Sequence, residues 1–161
     1  MAKIKRELFM TFINCTPSKE ATYEVLGEDL EEFNIEMGAN VVNKSNILGQ
    51  NSISIDRYEK TASVEPYKAD SGTALFTYLK EIIDEEKTLD DLNTDVVHVD
   101  VFGTATSGAY PAYKEEVVVE IVSYGGNTEG LQIPFNLHLT GKRTKGTFNP
   151  TTKAFTAGVS A

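Results

Sequence analysis

LQIPFNLHLTG, residues 131–141, sets Leu131, Ile133, Phe135, Leu137 and Leu139 on one parity and Gln132, Asn136, His138 and Thr140 on the other. A period of two over that length predicts a strand with one apolar and one polar face. Pro134 falls on the polar side and has no N–H for a ladder, so the strand is expected at a sheet edge or a bulge. Upstream, KEEVVVEIVSY (114–124) repeats the pattern with Val117, Val119 and Ile121, and GGNTEG (125–130) between the two reads as a Gly-rich turn. VVHVDVF (96–102) is a further strand. The alternation of Phe33, Ile35, Met37, Ala39 and Val41 against Glu32, Asn34, Glu36 and Asn40 resumes at Ile53 and Ile55 against Ser52, Ser54 and Asp56. Residues 32 to about 60 therefore read as a long hairpin, apolar face toward the core, with NKSNILGQN (43–51) as its tip.

One helix is expected, over residues 70–87. Asp70 or Ser71 supplies an N-cap, and Leu75, Phe76, Leu79, Ile82 and Ile83 form one stripe. Asp84, Glu85 and Glu86 oppose the helix dipole at its C-terminal end, so packing on a sheet must hold it. Residues 1–20 read as an N-terminal arm and 150–161 as a flexible tail rich in small residues. The fold class that follows is mostly β with one flanking helix, a β-sandwich or barrel-like architecture in a single domain of 161 residues.

Hydrophobic residues make up 40% of the chain and charged residues 24%, a globular composition. The apolar patch in MAKIKRELFMTFIN is too short and broken for a signal or a membrane span, which predicts a protein made and folded in the cytoplasm with no membrane partner. A net charge of −9 argues against gripping nucleic acid through its phosphates. The charge is also segregated: residues 81–95 hold seven acids and one Lys, whereas residues 137–161 hold Lys142, Arg143, Lys145 and Lys153 and no acid. Such separation lets the basic segment of one copy meet the acidic loop of another, or simply marks two solvated faces.

No catalytic, metal or cofactor signature emerges. Cys15 is the one cysteine and has no CxxC partner; it reads as a small apolar filler. His98 and His138 both fall within strand patterns and have no third ligand at a recognisable spacing. The segment around Gly141-Lys142-Arg143-Thr144 fails as a phosphate loop, because Asn136 stands where the first Gly belongs and Arg143 where Ser or Thr belongs. The acidic run 84–95 fails as a calcium loop, because Leu89 stands where the turn needs Gly.

The stretch YPAYKEEVVVEIVSYGGNTEGLQIPFNLHLTGKRTKGTF (110–148), together with ISIDRYEKTASVEPYKADSGTALFTYLKEII (53–83), resembles the major tail tube proteins of phages and prophages of Gram-positive bacteria. The resemblance spans roughly residues 20 to 155. It implies a virion protein of the phage tail, assembled in the bacterial host cytoplasm. Its subunits form hexameric rings related to the Hcp-type tube, and the rings stack into a conduit through which DNA passes without sequence-specific binding. Tape measure, tail terminator and distal tail or baseplate proteins are the implied partners, and no cofactor is implied. The implied inner strands are residues 32–42, 51–60, 115–124 and 131–141. Their polar parity nominates Glu32, Asn34, Glu36, Asn40, Ser54, Asp56, Glu120, Asn136 and His138 as lumen-lining residues, with a net negative charge. Ile47 and Leu48, a lone apolar pair on the hairpin tip, are the ring-stacking candidates.

Two other readings stay open. A β-sandwich module that binds carbohydrate or a receptor predicts aromatics clustered at loop tips, with Tyr110, Tyr113 and Tyr124 as the candidates. An Hcp-like tube that delivers effectors predicts the same ring architecture with a different cargo.

Overall fold

A computed structural model describes residues 2–27, 30, 32–65 and 67–158. The elements run β1 (Phe9–Asn14), β2 (Tyr23–Leu26), β3 (Ile35–Glu36), β4 (Ala39–Ser45), β5 (Asn51–Tyr58), β6 (Thr61–Val64), α1 (Ala74–Glu85), β7 (Asn93–Asp100), β8 (Tyr110–Ile121), β9 (Gly125–Asn127), β10 (Gly130–Gln132), β11 (Phe135–Asn149) and β12 (Ala154–Ala157). An eight-stranded antiparallel sheet in the order β2-β1-β7-β8-β11-β6-β3, with β12 added to β11, curls into a half-barrel. The expected class, mostly β with one helix and barrel-like, is the class observed.

The helix packs on one face of the sheet. Leu75, Leu79 and Ile82 join Ile13, Val96, Val117, Val119, Phe135 and Leu137 in the main core, where each fully buried aliphatic or aromatic side chain contributes about 1.5–3 kcal/mol. A smaller cluster of Phe12, Tyr23, Val97, Val99, Ala112 and Phe148 lies apart from it. Phe12 and Ile13 are neighbours in the chain and belong to different clusters, so β1 is buried on both faces.

That double burial corrects the expected N-terminal arm. MTFIN lacks alternation because neither face meets water, and β1 sits inside the sheet between β2 and β7. The flexible tail is also corrected, since Ala154–Ala157 pairs with Gly146–Asn149; only its last residues, 159–161, lie outside the described residues. Pro134 does not put its strand on an edge. It separates β10 from β11, and β11 runs through the sheet between β8 on one side and β6 and β12 on the other.

The helix starts later than expected. Thr73 is the N-cap and accepts from Phe76 N at 3.2 Å, while Asp70 forms the turn before it. Glu24, on β2, also accepts from the N–H groups of Ala74 and Leu75 at 2.8 and 3.3 Å. A carboxylate at a helix N-terminus satisfies orphan donors and complements the dipole. The C-terminal end lies where the acids predicted it, with Glu86 in the left-handed region.

The largest departure is the hairpin. Among the described residues β4 and β5 pair only with each other, as a separate two-stranded sheet. Strands reach Ser45 and Asn51, so the tip is residues 46–50, tighter than the expected 43–51. The expected inner strand 32–42 is broken at Gly38, whose φ of +57° and 2.2 Å approach of a notional Cβ to the Glu59 carbonyl oxygen exclude any side chain. The apolar face does not meet the core: Val41 is 53% exposed, Ile53 74%, Ile55 52% and Tyr58 53%.

Candidate functional site: a polar sheet face and a projecting hairpin

Register decides which side chains share a face. Glu36 pairs with Thr61, Thr61 with His138, and His138 with Val118; two residues along, Ser63 pairs with Asn136 and Asn136 with Glu120. Directly opposed residues point the same way, so Glu36, Thr61, Ser63, Asn136, His138 and Glu120 lie on one face over β3, β6, β11 and β8. The opposite face carries Ala62, Val64, Leu137 and Val119 into the core.

The polar face is cross-linked by hydrogen bonds. Ser63 Oγ donates to Asn136 Oδ1 at 2.8 Å, Asn136 Nδ2 donates to Glu120 Oε1 at 3.2 Å, and His138 Nε2 lies 2.9 Å from the same oxygen. The bonds from His138 and Asn136 hold the Glu120 carboxyl below the usual carboxylate range. All three sites are open to water.

Four of the nine lumen candidates, Glu36, Glu120, Asn136 and His138, therefore come together. Glu32 and Asn34 are exposed and accompany each other, Asn34 Nδ2 donating to Glu32 Oε1 at 2.7 Å, but neither lies on a strand. Asn40, Ser54 and Asp56 belong to the separate hairpin, where Asn40 Nδ2 donates to Asp56 Oδ1 at 2.6 Å. The hairpin is not uniformly negative. Lys44 pairs with Ser52 on the same face as Ser54, and Arg57 contacts Asp56 at 3.3 Å and Glu59 at 3.0 Å. Thr61 and Ser63 were missed in the sequence, although the alternation of TASV, with Ala62 and Val64 buried, carries their signal.

The hairpin's two faces are sorted by a bulge between Asn40 and Val41 opposite Asp56. One face holds Val41, Ile53 and Ile55, and the other Val42, Lys44, Ser52 and Ser54. At the tip, Asn46 organises a closed turn: its Oδ1 accepts from the Leu48 and Gln50 N–H groups at 2.9 and 3.0 Å, and its carbonyl from Gly49 N at 3.0 Å. Ile47 and Leu48 project from this turn at 101% and 75% exposure.

Below the hairpin root lies a buried charged cluster. Glu115, on the core-facing parity of β8 and 1% exposed, receives Lys60 Nζ at 2.5 Å, Arg143 Nε at 3.4 Å and Gly141 N at 3.2 Å. Gly141 reaches it from a bulge in β11 between Leu139 and Arg143, with φ of +89°. His98 Nε2 lies 3.9 Å from the same carboxylate, and His98 Nδ1 is 3.3 Å from Thr11 Oγ1. Burial pushes the His98 imidazole down to about 4, against the pull of Glu115 in the other direction. Lys142 also contacts Glu116 at 3.5 Å, so much of the basic segment is paired within its own subunit.

Burial pushes the Cys15 thiol up to about 12, which makes it unreactive at neutral pH. Tyr110 and Tyr113 are half-buried within β8, the former against the second core cluster, and Tyr124 alone of the three is exposed. Among the described residues no three His, Cys, Asp or Glu side chains are grouped to hold a metal ion. In comparisons with known proteins, the chain matched no family model and no curated relative.

Proposed function

We propose that this chain is the repeating subunit of a phage-type tail tube, closing into hexameric rings that stack around a conduit for DNA. The observation that carries the reading is the β4–β5 hairpin, whose apolar face is left bare by its own subunit. A two-stranded ribbon is marginal in water by itself, and a bare apolar face marks an interaction surface. A second copy covers it at no cost in new sequence, and ring closure also removes the unpaired sheet edges at β2 and β3.

The polar face supports the same reading. Asn136 and His138 engage Glu120, Glu36 adds a second carboxylate to the same face, and together they offer a phosphate backbone little to bind, so DNA slides past this surface. In this role the tip bearing Ile47 and Leu48 reaches the adjacent ring. The subunit's other partners are the tape measure, terminator and distal tail proteins, and its place is the virion.

Negative-stain microscopy of the purified protein, alongside light scattering over a concentration series, tests this. Rings with a central hole, and tubes at high concentration, are expected. A protein that stays monomeric at every concentration and salt, with no rings, contradicts it.

A further inference from the structure

We propose that the groove between the C-terminal end of α1 and the end of β8 is the receptor for the hairpin tip of a second copy, and that it takes Ile47 and Leu48. This rests on the stacked-ring reading and adds where the tip goes.

The groove exists because β7 stops short of β8. Pairing between them ends at Asn93 opposite Val118, so among the described residues no strand covers that side of β8 from Val119 onward. The resulting open groove, about 610 Å³, has Ile83, Leu92, Ile121, Val122 and Tyr124 as its apolar wall. Val122 and Tyr124 are each 57% exposed, so this apolar wall faces water in the single subunit.

Occupant and receptor match in three respects. Ile47 and Leu48 are the most exposed pair of adjacent aliphatic side chains on the hairpin and make an anchor suited to an apolar slot. The turn that carries them is already fixed by the Asn46 hydrogen bonds, so little ordering cost attends docking. Charge agrees as well: residues 43–51 contain Lys44 and no acid, whereas the groove wall carries Glu86, its cation Lys87 is engaged by Glu81 and Glu85 at 3.1 and 3.7 Å, and its His138 is engaged by Glu120 at 2.9 Å.

Disulfide trapping tests the contact. The native Cys15 is buried, so a Leu48→Cys variant and a Val122→Cys variant each carry one accessible thiol. The two are mixed under assembling conditions, one bearing a size tag, then oxidised and separated without reductant. The mixed dimer is expected several-fold above the dimers of either variant alone, and is lost when Ile47→Asp is added to the Leu48→Cys chain. Tyr124→Cys, at a second position in the groove, is expected to trap the same dimer and guards against a local defect at Val122. Tubes seen by microscopy with no excess of mixed dimer at either position overturn the groove assignment and leave the tube reading standing. A wild-type chain that forms neither rings nor tubes overturns both.

Discussion

The β11 strand and the β4–β5 hairpin carry the same period-two pattern, yet β11 buries Phe135 and Leu137 to 1% exposure while the hairpin leaves Ile53 at 74%. Alternation reports that a strand has an apolar face; it does not report whose core that face joins. In β11 the cover is α1 and the rest of the sheet, all within one chain. For the hairpin no described residue supplies that cover, and on the proposed reading the same pattern marks an interface.

Truncation in the two regions is the sharpest way to break that comparison. Phe135→Ala is expected to cost about 3–5 kcal/mol in urea unfolding of the free subunit, whereas Ile53→Ala stays within about 0.5 kcal/mol. A comparable loss from Ile53→Ala would mean that the hairpin is already packed within its own subunit.

The hairpin's root should behave like the body. Lys60 is the nearest cation to the buried Glu115, and Lys60→Met leaves that carboxylate with longer contacts to Gly141, Arg143 and His98. A loss of about 3 kcal/mol is expected, since breaking a buried pair strands a charge. Glu115→Gln combined with Lys60→Met should recover part of it in the same unfolding measurement.

Acid should weaken the body next. His98 titrates near 4 when folded against an ordinary value of 6.5, so above pH 6.5 its burial carries no protonation penalty. As pH falls from 6.5 toward 4 the unfolded chain binds the proton first and stability drops. About 2 kcal/mol is expected to be lost between pH 7 and pH 5 from this group, and His98→Phe should remove that part of the pH dependence.

Much of this was legible in the sequence and some was not, for identifiable reasons. The β class, the helix with its Leu75, Leu79 and Ile82 stripe, and the polar parity of Glu120, Asn136 and His138 all follow from local periodicity. β1 escaped because burial on both faces erases alternation. The capping of α1 by Glu24 joins residues fifty positions apart, which no local pattern encodes. Glu115 did leave a trace, since it shares parity with Val117 and Val119, and a charge on the apolar parity is a signal for a buried pair. Lys44 shares parity with Asn40, so the net negative charge expected of the lining left out a cation on the same parity.

A smaller effect concerns the lining. Glu36→Lys, on the polar sheet face, is expected to leave subunit stability within about 0.5 kcal/mol and tubes intact. In a phage carrying it, DNA ejection should slow, most at low salt, where Debye screening is weakest. Ejection unchanged across salt concentrations would remove charge from the account of this face while leaving the hairpin argument untouched.

Hydrogen exchange across residues 39–58, measured on the dilute subunit and again on assembled protein, tests the central claim that a second copy completes the hairpin. Fast exchange is expected in the dilute subunit, set apart from the slow amides of β8 and β11, with strong protection of β4 and β5 after assembly. Equal protection in both states, or assembly that leaves the hairpin as unprotected as before, would contradict it.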